Sequence, residues 1–94
     1  MRNNEFNTAH IKHICETKLQ IAFRDGKEFN GWYYRNSRKV ARITVPKGRK
    51  NVPRVTYSAM AKQLLLTTPL FDDLLACPLT RDAYDRHLVV RGVG

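Results

Sequence analysis

Between residues 7 and 18 (NTAHIKHICETK) the apolar positions are Ile11, Ile14 and Cys15, the i, i+3, i+4 spacing of one helical stripe, with Asn7 or Thr8 suited to cap the helix. The period then changes. In LQIAFR (19–24) Leu19, Ile21 and Phe23 alternate with Gln20, Ala22 and Arg24, which predicts a strand with one buried face, closed by the turn pair Asp25-Gly26. GWYYR (31–35) is rich in aromatics that fit a pleated surface and predicts a second strand. Asn36-Ser37 is short enough to form a hairpin loop into a third strand, KVARITV (39–45). There Ala41, Ile43 and Val45 share a face, and Lys39, Arg42 and Thr44 lie off it, so a core face separates from a basic one. By the same alternation Trp32 and Tyr34 share one side of their strand and Tyr33 takes the other.

Pro46 ends the third strand because it cannot donate to a sheet ladder, and KGRKNVPR continues as an irregular basic connection. A helix over 56–66 follows from Tyr57, Met60, Ala61, Leu64 and Leu65, with Thr56 as its expected cap. Thr68-Pro69 reads as the cap and first position of a third helix, with Asp72 and Asp73 placed to complement its dipole and Pro78 to close it. TRDAYDRHLVV (80–90) reads as a fourth, capped by Thr80 and supported by Asp82 and Arg86 at i, i+4. The predicted fold class is α+β: helix, three-stranded antiparallel sheet, helix, plus one or two C-terminal helices. Residues 1–94 form one domain, with the sheet-and-helix core at 1–66 and a helical extension at 67–94. LLLTTPLFDDLLACPL (64–79) is apolar enough to pack on its own domain or on a second subunit.

Composition narrows the class. Ninety-four residues, 43% hydrophobic, suit one compact core. No run of about 18 apolar residues occurs and the N-terminus lacks an apolar signal region, so the expectation is a cytoplasmic chain with no membrane partner. Cys15 and Cys77 are isolated and read as small buried hydrophobes, forming neither a disulfide scaffold nor a zinc site.

Charge changes the picture more. The net charge is +9, and residues 24–54 carry +8 of it: ten basic side chains against Asp25 and Glu28. Arg35, Arg38, Lys39, Arg42, Lys47, Arg49, Lys50 and Arg54 follow one another with no intervening acid. A merely solubilising face mixes both signs, so this run predicts a phosphate-facing surface whose partner is RNA or DNA. Trp32, Tyr33 and Tyr34 interleave with it, and an exposed ring there can stack on an unpaired base. Walker A, dinucleotide-glycine, serine-elbow and zinc-spacing patterns are all missing, so no cofactor and no metal is expected.

The segment ITVPKGRKNVPRVTYSAMAKQLLL (43–66) resembles the closing part of HicA toxins, in which an ITVP-type strand leads through a basic loop into a helix with a Leu-rich end. The upstream helix, LQIAFRDG and GWYYRNSRKVAR are similar to the same family's first helix and hairpin, extending the resemblance to roughly 9–66. It implies a fold like a small double-stranded-RNA-binding domain, RNA as ligand, and an antitoxin partner. It departs at one position: the family's catalytic histidine, in a Gly-Ser-His-type motif on the second strand, aligns with Gly31, which can do no acid–base chemistry. The histidines present are His10, His13 and His87, each also explained as part of a helix surface.

The favoured reading is therefore a small basic nucleic-acid-binding protein, RNA before DNA, without catalytic residues. Three alternatives stay open. One is a divergent HicA-like ribonuclease using another histidine. Another is a DNA-binding accessory module, by fold analogy with the arm-binding domains of phage integrases. The third is a small phage-type protein that inhibits a larger nucleic-acid-binding machine through an acidic site on it.

Overall fold

The computed structural model describes residues 2–35, 37–76 and 79–92. After a single 3-10 turn at Asn3–Glu5, the order is α1 (Thr8–Lys18), β1 (Ala22–Arg24), β2 (Phe29–Arg35), β3 (Arg38–Val45), α2 (Arg54–Gln63), α3 (Thr68–Ala76) and α4 (Arg81–Val90). The strands form one antiparallel sheet in the order β1-β2-β3. This is the expected α+β architecture. Among the described residues no helix is long and apolar enough to cross a membrane.

One face of the sheet carries the core. Tyr33, Ala41, Ile43 and Val45 point into it and meet Ile11 and Cys15 of α1, Tyr57, Met60 and Ala61 of α2, and Phe71, Leu74 and Leu75 of α3. Tyr84 and Leu88 bring α4 into the same cluster, so the C-terminal segment packs on its own domain. Polar links fix it there. Tyr84 donates to the Leu64 carbonyl at 2.8 Å, Lys18 donates to the carbonyls of Leu74 (2.8 Å) and Leu79 (3.0 Å), and Tyr33 donates to Asp85. Cys15 is fully buried, which pushes its thiol up to about 12; Cys77 and Pro78 lie outside the described residues.

Several boundaries correct the sequence reading: β2 begins at Phe29 rather than Gly31, and β3 at Arg38 rather than Lys39. β1 begins at Ala22 rather than Leu19, because Leu19 ends α1 and Gln20 takes a left-handed turn (φ 54°). Leu19 and Ile21 are buried nonetheless, so the alternation marked burial correctly over residues that do not pair. α2 starts two residues before Thr56, at Arg54, with Pro53 preceding it and no side-chain cap. It also stops at Gln63, where Leu65 turns left-handed (φ 62°). Leu66 N–H then reaches back to the Ala61 carbonyl and Leu65 N–H to that of Lys62, both at 2.9 Å, a closing pattern that normally takes glycine. Here it folds Leu66 into the core.

The third helix is capped by Thr67, whose hydroxyl accepts from Leu70 N–H at 3.3 Å, not by Thr68. Asp72 is not a first-turn acid; it is buried, accepting from the Tyr57 hydroxyl and from Arg2 N–H. α4 is capped by Thr80 as expected, while Asp82 and Arg86 form no ion pair among the described residues.

Three phenols inside this core set an alkaline limit. Tyr33, Tyr57 and Tyr84 are each 1% exposed or less, and burial above all holds their hydroxyls above the ordinary value, helped by Asp85 for Tyr33 and Asp72 for Tyr57. Unfolded, they ionise near about pH 10; folded, they keep their protons. Stability is therefore full below that pH and falls above it, by up to ~1.4 kcal/mol per pH unit for each tyrosine. In an alkaline titration, three of the four tyrosines should gain tyrosinate absorbance only as helical ellipticity is lost. Absorbance rising well ahead of ellipticity would contradict this burial.

Candidate nucleic-acid interface

The basic connection after β3 is pinned to the start of α1. Asn7 and Asn51 form an isolated antiparallel bridge, and Asn3 Nδ2 donates to the Val52 carbonyl at 2.8 Å. Thr8 adds three hydrogen bonds: its N–H donates to the Lys50 carbonyl at 3.0 Å, and its hydroxyl accepts from Lys50 N–H at 3.1 Å while donating to the Gly48 carbonyl. Gly48 is left-handed (φ 87°), a conformation that suits glycine. Arg49 and Lys50 are thus exposed on a fixed turn beside α1 rather than on a free loop.

The eight predicted cations do not converge on one surface. Successive residues of a strand advance by about 3.3 Å, so the seven steps of β3 from Arg38 to Val45 span roughly 23 Å. Arg38 and Lys39 lie at the hairpin end of β3 and Arg42 midway along it; Lys47, Arg49 and Lys50 lie past its other end on the turn beside α1, and Arg54 opens α2. Expecting a single patch overlooked the length of β3.

Individual residues divide further. Arg35 is not presented to solvent: it is half-buried at the end of β2, 3.7 Å from Asp85, with Nη1 buried and unpartnered among the described residues. Lys47 pairs with Asp25 and lies over the Phe29 ring at 5.3 Å. Arg38, Lys39, Arg42, Arg49, Lys50 and Arg54 are exposed and form no ion pair among the described residues. Of the three aromatics, Tyr33 is core and edge-on to Tyr84, so it cannot meet a base. Trp32 is half-buried on the opposite face and Tyr34 is 48% exposed.

Sequence reasoning missed a neighbourhood. A groove of about 350 Å³ is lined by Asn7, Ala9, His10, His13 and Arg49, so the i, i+3 histidines of α1 share a surface with a loop arginine. His10 stacks on Phe6 with ring centroids 5.1 Å apart. No local signal joins residue 13 to residue 49; the Thr8 pin does. His87 is structural, with Nε2 2.7 Å from the Leu65 carbonyl oxygen.

No family model, curated protein or solved structure matches the chain. The local chemistry therefore has to carry the functional reading. Gly31 is informative here. It is buried between Ile21 and Phe23, and a Cβ on it would lie 2.3 Å from Ile21 Cγ2 and 2.8 Å from the Phe23 ring. Any side chain at this position would have to displace both neighbours. Among the described residues no three His, Cys, Asp or Glu side chains gather as metal ligands.

Proposed function

We propose that the chain is a small basic nucleic-acid-binding protein, with RNA favoured, that grips backbone phosphates at the turn 47–50 and the start of α2. One observation carries this reading: Arg49 and Lys50, on the turn fixed by Thr8, and Arg54, at the start of α2, are exposed and free of ion pairs among the described residues. Cations in that state release phosphate counterions on binding, and held backbone geometry lowers the ordering cost. The first N–H groups of α2, without a side-chain cap, are further donors close in sequence to this turn. The preference for RNA rests on the resemblance over 43–66, and the observed order α1-β1-β2-β3-α2, with the helices on one face, is compatible with it. Titrating labelled RNA hairpin and DNA duplex between about 50 and 200 mM salt tests the reading, since phosphate contacts give a steep inverse dependence on salt. Binding that ignores salt would overturn it.

A second reading retains cleavage, and the groove shared by His10, His13 and Arg49 favours it: two imidazoles can divide base and acid roles beside a cation. Our favoured reading expects purified protein to leave RNA intact. Cleavage abolished by His10→Ala or His13→Ala, in protein with native ellipticity, would establish the second instead.

A further inference from the structure

We infer that the uncovered face of the sheet is a second site, one that takes unpaired bases of a single strand, so that the ligand of the loop site carries a single-stranded segment. This rests on the nucleic-acid reading above and adds the class of nucleic acid. The helices pack on the face of Tyr33, Ile43 and Val45. On the other face the register places Arg42 directly across from Trp32, and Lys39 across from Tyr34. Lys39 Nζ lies 5.0 Å from the Trp32 ring centroid and Arg24, from β1, lies 5.8 Å from it. Two rings with three cations around them thus occupy one open surface, and none of the three strands contains Asp or Glu.

The spacing selects the ligand. Trp32 and Tyr34 are two residues apart on one strand, so their attachment points stand about 6.8 Å apart. That is twice the ~3.4 Å advance per nucleotide within a duplex strand. Paired, stacked bases cannot address both rings; a drawn-out single strand can, one base per ring. A duplex also keeps its base faces covered, whereas unpaired bases offer them to aromatic side chains. Lys39 and Arg24, which rest over Trp32 in the free protein, are flexible cations able to move to the phosphates as a base takes their place. An acidic protein segment would satisfy the charge but leave the rings unused.

The chain has one tryptophan, so its fluorescence reports on this face alone. A short oligouridylate should quench Trp32 saturably, and a blunt RNA duplex of the same length should not. Tyr34→Ala, at an exposed position, should weaken oligouridylate at least about fivefold and leave the duplex unaffected; the Arg49→Ala/Lys50→Ala pair should weaken the duplex. Oligouridylate that binds without quenching and ignores Tyr34→Ala, while the duplex still depends on Arg49 and Lys50, overturns the sheet-face site and spares the loop reading. Absence of any nucleic-acid binding overturns both. Quenching by polyglutamate as strong as by oligouridylate overturns the inference in favour of an acidic protein segment.

Discussion

Replacing Arg49, Lys50 and Arg54 together by alanine is expected to lower affinity for an RNA hairpin or duplex at about 0.1 M salt by roughly 500-fold, with little change in stability. The magnitude follows from counterion release. Each lost duplex phosphate contact removes about 0.9 from the slope of log K against log salt, so three remove ~2.7 and, relative to 1 M salt, about the same number of decades at 0.1 M. Stability should hold because all three side chains are exposed and form no ion pair among the described residues. Lys47 is left out because Asp25 already offsets its charge. The separate end of the sheet supplies an internal control: Arg38→Ala, at the hairpin end of β3 and roughly 23 Å from Val45, should leave duplex affinity within about twofold if the loop end alone meets the duplex. Fluorescence anisotropy at several salt concentrations measures both quantities. A triple variant with an unchanged slope would show that these cations never face phosphate, and an equal loss in Arg38→Ala would mean that one ligand spans both ends.

The spread of the cations along β3 and the turn after it, instead of at one patch, is the main point at which sequence and structure part. The pattern of alternation located the sheet and its two faces correctly: Ala41, Ile43 and Val45 are buried, Arg42 exposed, and Tyr33 went inward while Trp32 and Tyr34 did not. Period-two placement is a local property, so it survives without tertiary information. A bulge between Tyr33 and Tyr34 even sets Lys39 rather than Val40 opposite Tyr34, keeping the cation on the outer face. What alternation could not convey was distance along the strand between charges, or which acids would return from far in sequence. Asp85 reaches Arg35 from α4, and Asp25 reaches Lys47 across the open end of the β1-β2 connection. Both pairings bridge elements, and neither leaves a mark in the local sequence.

The helix ends were misread for a related reason. Leu64, Leu65 and Leu66 continue an apolar helical pattern, yet burying Leu66 against the core favours a left-handed residue at Leu65 over another helical turn. Asp72 looked like a dipole partner because first-turn acids usually are; its burial with Tyr57 depends on α2 lying against α3, which only the fold supplies. Arg24 was legible as a cation but not as a neighbour of Trp32, since that contact needs the β1-β2 register. His10, His13 and Arg49 share a groove through the pin at Thr8, a residue whose value as a helix cap was apparent and whose value as a clamp on the basic turn was not.

Placing a histidine at position 31 should destabilise the fold markedly before it supplies any chemistry. The nearest obstacles to a side chain there are not the ends of flexible groups alone: Ile21 Cγ2 would sit 2.3 Å from the new Cβ and two Phe23 ring carbons at 2.8 and 2.9 Å, all closer than real Cβ contacts allow. Both neighbours are held. Ile21 is buried with its N–H on the Cys15 carbonyl at 3.2 Å, and Phe23 lies in β1 directly across from Gly31. Overpacking of this kind costs about 1–3 kcal/mol for an added methyl, so Gly31→Ala should lower Tm by roughly 5–20 °C in a domain of this size. Gly31→His, which must also bury a polar ring, exceeds that against a total stability of about 5–15 kcal/mol. The cause can be isolated: in an Ile21→Ala background, adding Gly31→Ala should cost markedly less than it does alone, a coupling that thermal unfolding of the four proteins reads directly. A Gly31→His protein that keeps its native Tm and begins to cut RNA would mean that Ile21 and Phe23 yield easily, and that the packing of β1 on β2 does not close this position to acid–base chemistry.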